Sequence, residues 1–298
     1  MSTLRLATRR SPLALAQAHE VARRLELSGV NCEIVEVVTT GDRKNDVPLA
    51  TIAGQGVFTA EVQHAVLEGR ADVAVHSAKD LPSVTPDGLV IACVPERRDP
   101  ADVLVGRSLA GLGPGATIAT GSPRRRALLA QRRPDINFVE LRVNMALRLA
   151  AVNESGIDAV VAAAAALDRL GWNDKIAERL DPEWFTPQVG QGAIALEALA
   201  DAADVHQILA SIHDADAARR LTCERAFLEE LGAGCAIPAA AHATLLGDTI
   251  QLDGVMASPT GARVIRHRAV GTDAAALGAS VAAHIRDELG GGNLPTGR

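Results

Sequence analysis

One device occurs twice in this chain, far apart in the sequence. Leu4–Thr8 reads as a short strand and leads through Ser11-Pro12 into an apolar-periodic run from Leu13 to Leu27. Ala116–Thr120 is again a short strand, followed by Ser122-Pro123 and a helical run through Gln131. Serine at the N-cap satisfies an orphan amide, and proline at the first helical position has no amide to leave unpaired, so both starts are well specified. A strand that feeds a capped helix is the unit of a sheet covered by helices. A chain that carries it twice is expected to build two similar α/β domains.

The rest of the pattern fits around these units. Cys32–Thr40 and Asp72–His76 read as strands on either side of a helix from Phe58 to Glu68, and Leu89–Val94 reads as a further strand. Pro95–Pro100 is a polar turn with two prolines where the pattern restarts, and strand Asn137–Leu141 hands over to another helix. A return crossing is expected near Pro187–Gln191, because the apolar strand Ala193–Leu196 has no obvious partner in the second domain. Asp214–Glu230 looks helical until Gly232–Pro238 breaks it. Three strands then follow, Ala239–Leu246, Thr249–Met256 and Arg263–Val270, with turns at Gly247-Asp248 and Pro259–Gly261, and an Ala-rich helix from Thr272 to Leu289 closes the pattern. Gly290–Gly292 and the last four residues read as a frayed tail. The expected division is 1–96 with 191–213, then 97–190, both α/β, then a small α+β domain at 214–298. The length of 298 residues suits two or three cores.

Composition excludes several classes. No 18-residue stretch is both apolar and free of charge, so no membrane span is expected. Met1–Arg5 opens directly into strand pattern without the basic segment and apolar run of a secretory signal, which points to the cytoplasm. A net charge of −6 with 2% aromatics supplies neither a basic field nor stacking platforms, so nucleic acid is not an expected partner. Cys32, Cys93, Cys223 and Cys235 are widely spaced, without a C-x-x-C pair or Cys/His zinc spacing, so neither disulfides nor a metal is indicated.

Both Ser-Pro helix starts sit beside arginines, Arg9 and Arg10 in one case and Arg124, Arg125 and Arg126 in the other. Free amides, helix dipole and guanidinium forks together suit anions. Plain capping with solvated arginines would use the same residues, and finding the device in both halves favours anion binding. The strand Asp72–His76 ends in Ser77-Ala78-Lys79-Asp80-Leu81-Pro82, which places a carboxylate and one of only three lysines where open α/β sheets bind ligands, although Asp and Pro are also ordinary turn residues. His76 reads as a satisfied residue at the strand end. Cys235, flanked by Gly234 and near Pro238, is an accessible loop thiol and a candidate nucleophile. Gly190-Gln191-Gly192 lacks the third glycine of a dinucleotide fingerprint.

Five ordered motifs resemble the porphobilinogen deaminase (hydroxymethylbilane synthase) family. They are Leu6–Ala14 with Gln17, His76–Pro82, Ser122–Arg125, Val189–Ala193 and Gly234–Pro238. The resemblance implies two periplasmic-binding-protein-like α/β domains around a cleft and a small α+β third domain. It also implies a dipyrromethane cofactor on a thioether to Cys235, and a monomeric cytoplasmic transferase of tetrapyrrole (heme) biosynthesis. Such an enzyme joins four porphobilinogens head to tail, releases ammonia each time and hydrolyses off hydroxymethylbilane. On the matching positions, Asp80 and Lys79 are implied catalytic residues. Ser122, Arg124, Arg125 and Arg148, with Lys79 and Asp80, are implied cofactor contacts, and Arg9, Ser11, Gln17, Arg142, Arg148, Arg169 and Gln191 are implied substrate contacts.

The chemistry gives reasons for these residue types. Each pyrrole brings an acetate and a propionate, so preplaced arginine forks relieve the repulsion of a growing polyanion. A fixed carboxylate stabilises the positive charge that develops when ammonia leaves. The chain departs from the family pattern at Gln55, where lysine is usual, at Val143, where glycine is usual, and at Ala198-Leu199, where Cys-Arg is usual. These departures keep a second class open: an impaired relative, or a non-catalytic protein that binds small carboxylates.

Overall fold

The structure, a computed structural model, describes residues 3–39, 59–141, 145–152, 156–232 and 238–295, without the side chains of Met145 and Arg148. The chain divides into two compact units, Met1–Arg98 with Gly192–Arg219, and Asp99–Gln191 with Arg220–Arg298.

In the first unit, β1 (Leu4–Arg9) runs into α1 (Pro12–Leu27), and β2 (Cys32–Val37) pairs parallel to β1 from Leu4↔Cys32 to Arg9↔Val37. Helix α2 (Ala60–Leu67) leads to β3 (Val73–Ser77), also parallel to β1, and β4 (Leu89–Cys93) lies at the far edge. The strand between β3 and β4 comes from much later in the chain: β10 (Ile194–Leu199), antiparallel to both. The apolar run at Ala193–Leu196, without an obvious partner in the second domain, thus pairs with β3 and β4 of the first sheet. Leu6, Val21, Leu25, Val73 and Leu196 fill one side of the sheet, and Ala7, Val62, Val66 and Ala74 the other.

The second unit repeats the arrangement. Its strands are β5 (Asp102–Gly106), β6 (Thr117–Ala119), β7 (Asn137–Val139), β8 (Ala159–Ala163) and β9 (Ile176–Leu180), ordered β7-β6-β8-β5-β9. β6 pairs parallel to β7 and β8, while β5 lies antiparallel to β8 and β9. In both sheets, then, three parallel strands are followed by an antiparallel strand that begins just after a crossing between the units. α3 (Pro123–Arg132) follows β6, α4 (Met145–Ala150) follows β7, and α5 (Ala164–Arg169) follows β8 directly.

A three-stranded antiparallel meander completes this unit: β11 (Ala239–Leu246), β12 (Thr249–Ala257) and β13 (Val264–Gly271). Its core joins Leu252 and Ile250 to Phe227 of α7 (Ala215–Glu230) and Val281 of α8 (Ala274–Ala283). α6 (Ala203–Leu209) lies between β10 and α7 in sequence. The expected closing helix is shorter than the sequence pattern suggests, because Asp273 caps it at the amide of Ala276 (2.9 Å) and a π-helical turn takes over at His284–Glu288. The frayed tail is also corrected as far as Pro295. Gly291 is buried, Gly290 adopts φ 77°, and Leu294 packs into the core of the meander, so apolar burial holds this stretch.

Gly278 of α8 packs directly against α7: a Cβ there would stand 2.2 Å from the Cys223 carbonyl oxygen and 2.8 Å from the Ala226 Cβ. Gly278→Ala should lower stability by about 1–3 kcal/mol through overpacking, although alanine is the better helix former by about 1 kcal/mol. Thermal melting of the two proteins measures the sign.

Candidate active site

The first unit brings five of the expected residues to the carboxyl ends of the adjacent parallel strands β1 and β3. Arg9 is the last residue of β1, and Ser11 caps α1 with its hydroxyl 3.3 Å from the amide of Ala14. Gln17, one and a half turns into α1, is buried, and its amide nitrogen donates to Ser77 Oγ at 2.8 Å. Ser77 ends β3, so this bond ties the start of α1 to the end of β3. A single 3₁₀ turn, Ala78–Asp80, follows, and it is anchored by the Ala78 amide donating to the Ala193 carbonyl at 3.0 Å. Lys79 is half-buried in this turn and Asp80 is exposed.

The second unit has the matching helix start at the end of β6. Ser122 Oγ lies 3.4 Å from the Arg125 amide. Two of the three arginines beyond it do not face solvent: Arg124 and Arg125 are buried around Asp102, the first residue of β5, while Arg126 is exposed. Arg125 donates to Asp102 Oδ1 through Nε (2.9 Å) and Nη2 (2.6 Å), and Arg124 Nη2 lies 2.8 Å from Oδ2. Arg125 also donates to the Val161 carbonyl at 3.1 Å, and Arg124 to the Thr186 carbonyl at 2.8 Å. Gln191 is buried as well, and its amide nitrogen donates to Asp102 Oδ1 (3.1 Å) and to the Pro100 carbonyl (2.7 Å). Burial pushes the Asp102 carboxyl up, and the two guanidiniums outweigh it, holding the group below its ordinary value. Burial lowers the Arg124 value in spite of Asp102.

A second buried acid supports the Gly190-Gln191 turn. Glu224 of α7 accepts from the Gly190 amide (2.8 Å) and from the Ala243 amide of β11 (3.0 Å). Gly190 adopts φ 71°, a left-handed conformation that suits glycine.

Asp102 and Glu224 did not emerge from the reading of the sequence, nor did Glu197 on β10. Asp102 and Glu197 carry a visible signal, since each is a lone acid inside an otherwise apolar strand. Arg169 ends α5, just beyond β8, and Arg148 lies in α4, its side chain not described. Arg142, Val143, Cys235 and Gln55 lie outside the described residues. Of the other thiols, Cys93 and Cys223 are buried and Cys32 is half-buried, and burial pushes the Cys93 thiol up to about 12. Among the described residues no three His, Cys, Asp or Glu side chains gather as metal ligands.

Two family models cover most of the chain. "Porphobilinogen deaminase, dipyromethane cofactor binding domain" matches residues 4–207, and "Porphobilinogen deaminase, C-terminal domain" matches residues 218–287. The chain belongs to the porphobilinogen deaminase family. The porphobilinogen deaminase of Nitratidesulfovibrio vulgaris is 45% identical over 280 residues, 92% of this chain and 88% of that one. The porphobilinogen deaminase of Acidothermus cellulolyticus is 44% identical over 294 residues, 96% of this chain and 89% of its own. Among solved structures, the methionine-binding protein MetQ aligns with TM-score 0.46 at 12% identity, covering 74% of this chain and 94% of that chain.

The described residues fit the carboxylate-rich group that a porphobilinogen deaminase carries. Arg124 Nε is a buried donor with no hydrogen-bond partner among the described residues. A carboxylate is the acceptor that would satisfy it.

Asp102→Asn removes the anion that two buried guanidiniums share and should cost about 3–5 kcal/mol at pH 7. Because the folded value is depressed, this contribution is fully present above the ordinary carboxyl range and is lost as the pH falls through the folded value. The stability gap between wild type and Asp102→Asn should therefore narrow below pH ~4. Urea unfolding across pH measures both effects.

Proposed function

We infer that this chain is a hydroxymethylbilane synthase, a transferase that joins four porphobilinogens head to tail, releases ammonia at each addition and hydrolyses off hydroxymethylbilane. The observation that carries this reading is the match of both family models, to residues 4–207 and 218–287. The cofactor, dipyrromethane, supplies the pyrrole carbon onto which the first substrate is added. Cys235 would hold it by a thioether, and Ser122, Arg124, Arg125, Arg148, Lys79 and Asp80 would contact it. Cys93 and Cys223 are buried, and Cys235 lies in a glycine-flanked sequence, which supports it as the attachment point.

Asp80 would act on the substrate directly. Its exposed carboxylate, on a turn held by β10 and α1, can accept hydrogen bonds from pyrrole N–H groups. It can also offset the positive charge that develops as ammonia departs. Lys79, beside it, would meet a substrate carboxylate. Arg9, Ser11 and Gln17, at the same strand ends, together with Arg142, Arg148, Arg169 and Gln191, would bind the acetates and propionates of porphobilinogen and the growing chain. Arg124 and Arg125 share the single negative charge of Asp102, so the pair would meet ligand carboxylates with one positive charge in excess. Gln191 would act mainly by holding the backbone at Pro100.

The proposal extends to organisation. The division into 1–96 with 191–213, 97–190 and 214–298 is supported by one sheet in each part. Among the described residues no helix is long and apolar enough to cross a membrane. The proposed protein is a cytoplasmic monomer, and its net charge of −6 supports the reading that it does not bind nucleic acid.

Intact mass tests the attachment. Wild-type protein should carry the added mass of two pyrrole units, and Cys235→Ser should fold without it, since a hydroxyl is a far poorer nucleophile than a thiolate. Under denaturing conditions three of the four cysteines should react with a thiol reagent in the wild type. The full added mass on Cys235→Ser would reject the assignment. Asp80→Asn should keep the cofactor mass and lose roughly 10²- to 10³-fold in turnover, the scale of one positioned electrostatic group. Steady-state formation of hydroxymethylbilane by fully loaded protein is the measurement.

A further inference from the structure

Behind the Lys79–Asp80 turn lies a buried cluster that the chemistry above does not use. His76, on β3, places its Nε2 3.1 Å from Oε2 of Glu197 on β10. Gln63 of α2 donates its amide nitrogen to the same Oε2 at 2.8 Å. All three side chains are buried, and neither the other carboxylate oxygen, Oε1, nor His76 Nε2 makes a hydrogen bond among the described residues, so His76 and Glu197 meet as a close polar contact.

Stability alone is a poor reason for such a cluster. Withdrawing a carboxylate and an imidazole from water costs free energy that their attraction often fails to return, and an apolar pair of similar volume would hold two strands together as well. An orphaned oxygen adds to that cost.

What the cluster does supply is a close polar contact between β3 and β10 at one place. His76 is paired with Ala195 across the sheet, and Ser77, the next residue, is fixed by Gln17. The residue after that, Ala78, is fixed by the Ala193 carbonyl. The last strand residues before the turn are therefore held from α1, from the β10 backbone and, through His76, from the Glu197 side chain. An apolar contact could slide along the sheet, whereas a buried carboxylate that Gln63 holds by a hydrogen bond and that His76 faces at 3.1 Å is tied to one place.

We propose that His76 and Glu197 are positioning residues that fix the end of β3 and so set the direction in which Asp80 leaves the sheet. This rests on the role of Asp80 inferred above. Neither residue touches substrate in this account. Both act through the turn.

The test compares cofactor-loaded wild type, Glu197→Gln and Val75→Ala. Val75 is a buried residue of the same strand and serves as a packing control. Amide hydrogen exchange over residues 77–81 should accelerate at least about tenfold in Glu197→Gln, with exchange in β11–β13 unchanged. Its kcat should fall roughly 10- to 10²-fold, the cost of misplacing a group next to the chemistry. KM should stay within about twofold, because substrate carboxylate contacts are untouched. Val75→Ala should melt earlier yet keep both kcat and local exchange near wild type. Wild-type exchange and kcat in Glu197→Gln would overturn the proposal, as would equal losses in Val75→Ala at a matched fall in melting temperature. Absence of hydroxymethylbilane formation by the wild type would instead reject the functional reading, and the exchange data would still judge the positioning role.

Discussion

The second unit is organised around one buried carboxylate. Asp102 has no access to water, and a charge there is tolerable only because two guanidiniums and an amide converge on it. Through these partners it joins the helix start after β6, the backbone of β8 at Val161 and the segment at Gln191. Gln191 in turn holds the carbonyl of Pro100, so both ends of the stretch from Asp99 to Gln191 meet at the same acid. An arginine pair that reads as a free anion-binding face is thus half committed to structure, and what it offers a ligand is an oriented edge with one positive charge in excess and one donor left over.

The two five-stranded sheets solve the same problem in the same way. Each sets loops at the carboxyl ends of three parallel strands, where helix starts bring backbone amides and arginines, and each continues through one antiparallel strand to an edge strand. The duplication visible in the Ser-Pro helix starts is therefore a duplication of sheet order too. In the first unit the loops carry the acid and the lysine. In the second they carry a serine hydroxyl above buried arginines.

Local signals carried most of what was legible in the sequence. A capped helix start depends on neighbours, so α1 and α3 begin where Ser11-Pro12 and Ser122-Pro123 place them. The meander strands were plain because turn residues separate alternating runs. β5, β8 and β9 were not read, since β5 and β8 are continuous apolar segments without a period, and β8 passes straight into the alanines of α5. The electrostatic partners were hidden for a different reason. Asp102 lies 23 residues from Arg125 and 89 from Gln191, and Glu197 lies 134 residues from Gln63, distances over which no local pattern speaks. Asp80 and Lys79 could be placed on a strand-end turn from the sequence, but the bonds from Gln17 and Ala193 that hold the turn needed the folded chain.

The position of β10 bears on how the protein is made. It sits inside the first sheet, and among the described residues β4 has no other strand neighbour there, yet it is encoded after the whole stretch from Asp99 to Gln191. On the ribosome, β1 to β4 emerge first with a gap where β10 belongs, leaving β3 with an open edge and β4 without a ladder. The first unit cannot close its sheet until residue 199 has left the exit tunnel, by which time the second sheet's five strands are already available to pair. The N-terminal sheet is therefore the later of the two to be completed, and truncation upstream of Ile194 leaves an adhesive edge in place of a folded half.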